Sequence, residues 1–214
     1  MKKQSKILAG LYLVIDPSKA EKGLLDALQK ALEAKPCAVQ IWDNFLENAS
    51  VSALICKIKK LCDTAGVPLL INNHPEWVEL FDLDGVHFDQ FDELSQRCVT
   101  IFHELGNLVG ITTNNDLEVI RKAVEAGVDY LSFCSIFPSD TSTSCELVDF
   151  DSVRQTRVMT DIPIFLAGGI NSENMDQLRT LDFDGVAIVS GVMSSPDPAE
   201  AVLKYQQSLI NLKK

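Results

Sequence analysis

No stretch of this 214-residue sequence approaches the ~18 consecutive apolar residues that a membrane-spanning helix needs. Positive charge is in short supply too: 19 lysines and arginines stand against 30 aspartates and glutamates, a net charge of −11. That balance argues against a nucleic-acid backbone or an anionic membrane as partner, and any phosphate would have to be gripped locally against the field of the whole chain. The six cysteines, Cys37, Cys56, Cys62, Cys98, Cys134 and Cys145, include no Cys-x-x-Cys pair. Scattered thiols, several inside apolar runs, read as reduced and mostly buried side chains of a cytoplasmic protein. Gly-x-Ser-x-Gly and His-Glu-x-x-His are both missing, which excludes nucleophile-elbow hydrolases and zincins. No linker and no low-complexity segment interrupts the chain. The opening lysines and apolar run lead into Asp16-Pro17 without a small-residue cleavage site, so this segment reads as a first strand and not as a signal peptide.

What is present is a regular alternation. Eight short apolar runs occur, at Leu11–Ile15, Ala38–Trp42, Pro68–Asn72, Gly85–Phe88, Leu108–Thr112, Tyr130–Cys134, Ile164–Ala167 and Gly185–Val189. Most are near-continuously apolar, the pattern of strands covered on both faces. Between them, Ala20–Ala34, Val51–Ala65, Leu117–Ala126, Glu173–Leu181 and Pro198–Leu212 carry apolar residues at helical spacing. Gly66 and Gly127 stand where a left-handed helix C-cap should precede the next strand. Strand and helix alternating eight times within about 200 residues predict parallel pairing, right-handed crossovers and closure, that is, one (β/α)8 TIM barrel domain over residues 1–214. An echo between Asp82-Leu83-Asp84-Gly85-Val86 and Asp182-Phe183-Asp184-Gly185-Val186, before the fourth and eighth strands, suggests two related half-barrels.

Function in such a barrel collects at the C-terminal ends of the strands. Gly168-Gly169 after the seventh strand and Ser190-Gly191 after the eighth would let bare amides approach a phosphate at a helix N-terminus. Asp89 and Asp92 follow the fourth strand and face Asn73 from the third. Such hard oxygen donors suit Mg²⁺, and Asp92 is equally placed to cap the helix that follows. His74 and His87 are titratable candidates, each also readable as a packed, hydrogen-bonded side chain. No lysine or arginine occupies any of the eight strand-ends. Ser139–Ser144 reads as a loop on the active side of the sixth strand.

Taken in order, Leu11–Asp16, Val39–Asn44, Ile71–His74, Gly85–Asp92, Phe137–Ser142, Ala167–Ile170 and Gly185–Ser190 resemble the thiamine-phosphate synthase (thiamine-phosphate pyrophosphorylase) family over nearly the whole chain. The resemblance implies Mg²⁺-dependent joining of a pyrimidine diphosphate to a thiazole phosphate, with pyrophosphate released and the diphosphate departing before the thiazole nitrogen captures the methyl cation. It implies Asp92 as a Mg²⁺ ligand. It implies Ser139, Thr141, Gly168, Gly169, Val189 and Ser190 around the thiazole phosphate, and Gln40 and Asn72 on the pyrimidine side. A small phosphorylated heterocycle is the expected partner, and a homodimer is compatible with the family.

The departures from the family pattern fall on charged positions. Trp42 and Asn44 stand where the second strand carries Arg and Lys. Asn73 and His74 stand for Asp and Arg, and Ser142 for Lys. The monophosphate side is kept and the diphosphate side is stripped of its cations. The related thiazole tautomerase branch would place a histidine near Thr112-Thr113, and none is there. Two further readings stand beside a divergent synthase. One is a family member that binds or acts on a thiazole-like monophosphate without coupling. The other is an unrelated phosphosugar-type barrel lyase or epimerase, which would want a lysine or an acid pair inside the barrel.

Overall fold

A computed structural model describes residues 9–47, 50–138 and 146–213. Eight strands, β1 (Gly10–Ile15), β2 (Ala38–Ile41), β3 (Leu69–Asn72), β4 (Gly85–Phe88), β5 (Leu108–Thr113), β6 (Tyr130–Phe133), β7 (Ile164–Ala167) and β8 (Gly185–Ile188), pair in parallel in sequence order. β1 closes on β8 through the register Gly10↔Gly185 to Leu13↔Ile188. The expected (β/α)8 barrel is therefore the fold, and the strand positions agree with the eight apolar runs to within a residue at each end.

The helices are α1 (Glu21–Glu33), α2 (Val51–Ala65), α3 (Glu76–Leu80), α4 (Glu93–Leu105), α5 (Leu117–Ala126), α6 (Phe150–Met159), α7 (Ser190–Met193) and α8 (Pro198–Leu212). Outward-facing strand residues such as Leu13, Ile41, Ile71 and Val86 are buried against the inner faces of this ring, which include Leu28, Ile55 and Val99. Gly66, Gly106 and Gly127 end α2, α4 and α5 at φ +68, +77 and +92, the left-handed cap that glycine adopts without a Cβ clash. Aspartates begin four helices: Asp92, Asp116, Asp149 and Asp197 each accept a first-turn backbone N–H. Each such cap contributes about 1 kcal/mol. Part of the acidity of the chain is thus structural.

One expected helix takes another form. Over Glu173–Leu181 the chain makes only a 3₁₀ turn, Met175–Thr180. Its two buried residues, Met175 and Leu178, are three apart, the repeat of a 3₁₀ helix. The Asn174 amide ahead of them donates to Gly169 O at 2.7 Å, which binds the turn to the loop after β7.

The barrel interior is filled by a second, smaller apolar group: Tyr12, Ala38, Leu70, Leu108, Tyr130 and Phe165. Tyr12, Tyr130 and Phe165 meet edge to face or tilted, with ring centroids 5.5–5.7 Å apart. Gly110 makes room for them: a Cβ there would lie 1.9 Å from Tyr130 Cζ. Above this aromatic floor the interior turns polar, and the cavity begins.

Candidate active site

The cavity at the C-terminal mouth has a volume of about 740 Å³. All three tyrosines of the chain, Tyr12, Tyr130 and Tyr205, line it. Among the described residues, no lysine or arginine lines it.

Six inward-facing side chains, one from each of β1 to β6, form a continuous hydrogen-bonded row in its wall. Thr112 Oγ1 lies 2.8 Å from His87 Nε2, and His87 Nδ1 lies 2.9 Å from the Tyr130 hydroxyl. Tyr130 meets Tyr12 at 2.8 Å, hydroxyl to hydroxyl. Tyr12 donates to Gln40 Oε1 at 3.0 Å, and Gln40 Nε2 donates to Asn72 Oδ1 at 2.5 Å. Asn72 Nδ2 donates to Asp89 Oδ1 at 3.0 Å, just beyond β4. Gln40, Asn72 and His87 are each no more than 5% exposed, so these partners are what makes their burial tolerable. Burial pushes the His87 imidazole down to about 4, with the Asp89 carboxylate pulling weakly the other way. His87 is therefore neutral at pH 7. Burial also raises both buried tyrosines well above their ordinary value.

At the rim above β2 to β4, Asn73 joins two carboxylates. Its Nδ2 donates to Asp43 Oδ2 and to Asp89 Oδ2, both at 2.8 Å, while Asp89 N donates back to Asn73 Oδ1 at 3.0 Å. Asn73 sits at φ +55, a left-handed conformation that asparagine accepts better than most residues. Trp42 lines the cavity beside this group. Asn44 turns away and donates to Asp16 Oδ1 at 3.1 Å, and the exposed Lys19 ammonium approaches Asp16 Oδ2 at 3.6 Å.

The opposite rim is built from backbone. Gly168 and Gly169 take φ +87 and +65, and a Cβ on Gly168 would lie 1.9 Å from Ser135 Oγ. A Cβ on Gly169 would lie 2.6 Å from Pro138 O. Both conformation and space therefore demand glycine. Phe137 N donates to Gly168 O at 3.1 Å, fastening the loops after β6 and β7 together. α7 begins at Ser190 with no side-chain cap from Val189, and Ser190 and Gly191 line the cavity, so uncapped first-turn amides belong to this wall. Tyr205 from α8 reaches over to Ile170 O at 3.3 Å.

The residues expected from sequence thus divide. Gln40, Asn72, Gly168, Gly169, Val189 and Ser190 all line the one cavity. Ser139 and Thr141, along with Ser142 and Cys145, lie outside the described residues. His87 belongs to the row, whereas His74 stacks on Trp77 at 3.9 Å and bonds Glu76 Oε1 at 2.9 Å, clear of the cavity wall. Asp92 was expected to face Asn73 together with Asp89. Only Asp89 does so, and Asp92 completes a capping box with Ser95 at the start of α4. Its carboxyl is held below the usual range, first by the Ser95 backbone N–H.

Mg²⁺ does not fit these side chains as a resident ion. Amide N–H donors fill the space between Asp43 and Asp89, and Asp92 spends Oδ1 on its helix. No group of three His, Cys, Asp or Glu side chains converges on a point among the described residues.

Sequence reading passed over Tyr12, Tyr130 and Thr112. The available signal was polar tips on alternate, inward positions of otherwise apolar strands.

Comparison with known proteins bears on the family and the fold. A family model described as thiamine monophosphate synthase matches residues 11–192. The thiamine-phosphate synthase of Alkaliphilus oremlandii is 30% identical over 210 residues, covering 98% of this chain and 100% of that protein. The Clostridioides difficile thiamine-phosphate synthase is 30% identical over 197 residues, with 91% and 92% covered. The structure of thiamine phosphate pyrophosphorylase from Pyrococcus furiosus superposes with a TM-score of 0.80 at 22% identity, covering 99% of both chains. The structural likeness speaks for the fold, and the sequence matches speak for the family.

Proposed function

This chain belongs to the thiamine monophosphate synthase family, and from that premise we propose that it is a divergent thiamine-phosphate synthase whose coupling step is weakened. In this reading the amides of Gly169 and Ser190, with Ser139 and Thr141, hold the phosphate of a thiazole phosphate. Gln40 and Asn72 meet a pyrimidine in the polar wall. The leaving diphosphate finds Trp42 and Asn73 where the family pattern carries charge, and the third such position, Asn44, is turned to Asp16. One observation carries the proposal: the two rims of one cavity are built of opposite chemistry. Gly168, Gly169 and Ser190 line the β7 and β8 side, whereas on the β2 to β4 side the cavity meets the Asp89 carboxylate, which Asn73 ties to Asp43 behind it.

Each lost charge-assisted contact to a leaving group costs about 3 kcal/mol of transition-state stabilisation, or ~10²–10³ in rate. A Mg²⁺ ion at Asp92 would have to arrive with a substrate phosphate, because the described residues assemble no closed donor set for it. The same proposal takes residues 1–214 as one domain in the cytoplasm, and as a homodimer.

The test offers the purified protein a pyrimidine diphosphate and a thiazole phosphate with Mg²⁺ and measures thiamine phosphate. Slow product formation is expected, accelerated when Trp42→Arg, Asn44→Lys, Asn73→Asp and Ser142→Lys are combined. Product absent from both proteins, with thiazole phosphate still bound in calorimetry, would refute coupling and leave a non-coupling binder of a heterocyclic monophosphate. The Asn73 bridge favours that second reading, since it ties up two carboxylates and supplies no cation for a diphosphate. A phosphosugar-type lyase has no support from the cavity, which no lysine lines among the described residues.

A further inference from the structure

The row in the cavity wall has a direction, and one group sets it. As a carboxylate, Asp89 only accepts hydrogen bonds. The Asn72 atom 3.0 Å from it must therefore be the amide nitrogen, which turns Asn72 Oδ1 towards Gln40. Gln40 must answer with its own nitrogen, leaving Oε1 for Tyr12. Tyr12 has one proton and gives it to Gln40, so Tyr130 donates in the contact between the two hydroxyls. Tyr130 then has no proton left for His87, so Nδ1 of His87 must carry one and donate it. A neutral imidazole with Nδ1–H has Nε2 as acceptor, and Thr112 donates there. Each choice follows from the one before, across six strands.

We propose that Asp89 is a positioning residue that polarises this row, holding His87 as the Nδ1–H tautomer and turning the Thr112 hydroxyl so that only its lone pairs face the cavity. The consequence is a specificity element. Thr112 shows a ligand an acceptor, while Gln40 and Asn72 each keep one amide N–H outside the row. The wall is thus set to read a planar group that donates at Thr112 and accepts beside Gln40 and Asn72. Hydrogen-bond stoichiometry and the neutrality of the buried His87 set this pattern, whichever reaction the cavity performs.

The imidazole ¹⁵N shifts of His87, measured on the intact protein without ligand, report the tautomer directly. The expected wild-type signature is protonated Nδ1 and unprotonated Nε2. Asp89→Asn lets the end of the row accept or donate, and the ratio of the two tautomers should fall roughly tenfold, the factor carried by a single charge-assisted hydrogen bond. Tyr12→Phe cuts the row between Gln40 and Tyr130 and should release His87 in the same way with Asp89 intact. Asp43→Asn removes a neighbouring charge that touches Asn73 but not the row, and should leave the ratio unchanged. A wild-type Nε2–H tautomer would overturn the proposal. So would an unmoved ratio in Asp89→Asn, or a shift in Asp43→Asn as large as that in Asp89→Asn.

Discussion

His87 ties stability to pH with a definite sign. Folded, its imidazole titrates near 4 because burial penalises the cation. Unfolded, it titrates near ~6.5. Between these values the unfolded chain binds more protons, so stability is full above the upper value and is lost as pH falls towards the lower one. The expected loss is about 3 kcal/mol. Urea denaturation at both ends of the window measures it, and His87→Gln should flatten that part of the profile. Equal slopes in the two proteins would assign the acid sensitivity elsewhere. Gly168 supplies a second prediction at this scale. Gly168→Ala must hold a Cβ at φ +87 against Ser135 Oγ. It should lose about 1–3 kcal/mol of stability. Calorimetry should show weaker binding of thiazole phosphate than in Ala167→Gly, which leaves the turn free.

Elements show how an apparent sequence repeat becomes a mechanical device. The echo before β4 and β8 places Asp84 and Asp184 at equivalent points. Asp84 Oδ2 accepts from Leu69 N at 2.9 Å, and Asp184 Oδ2 accepts from Ile164 N at 2.8 Å. A third copy, hidden in a different local sequence, precedes β6, where Asp129 Oδ2 accepts from Val109 N at 2.7 Å. Each aspartate pins the start of the odd-numbered strand before it, at the end of the barrel remote from the cavity. Asp184 also pairs with Arg157 of α6. Asp184→Ala should therefore cost about 1–3 kcal/mol in chemical denaturation, with one buried N–H left unpaired. Gly110→Ala acts on the interior instead, driving a methyl into the Tyr130 ring. Overpacking of this kind costs about 1–3 kcal/mol, and thermal denaturation should show it. Helices α3, α4 and α6 were the elements least legible in sequence. α3 is five residues long, and α6 buries only Ser152, Val153 and Thr156, so neither presents a broad apolar stripe.

For the whole molecule, charge decides how the cavity meets an anion. A net charge of −11 surrounds a cavity lined, among the described residues, by no lysine or arginine, and Asp89 lines it with Asp43 held close behind through Asn73. Diphosphate association should therefore quicken as salt is raised from low ionic strength towards the physiological range, because screening relieves repulsion. An enzyme steered by cations shows the reverse slope. Stopped-flow binding of inorganic pyrophosphate across a salt series measures the sign, and a rate falling with salt would reveal a cationic approach path.

The sequence by itself determined the barrel, the eight strands and the glycine rim, because strand burial, helical spacing and left-handed glycine are local consequences of residue type and order. It also pointed to the loss of charge at Trp42, Asn44 and Asn73, since a missing side chain needs no coordinates to be noticed. Only the tertiary structure decided what replaced that charge. Tyr12 and Tyr130 meet across 118 positions of chain, and Gln40, Asn72 and Asp89 join them from three other places. Their adjacency depends on the closed register of the barrel, and the direction of their protons depends on one carboxylate at the end of the row. No local pattern encodes either.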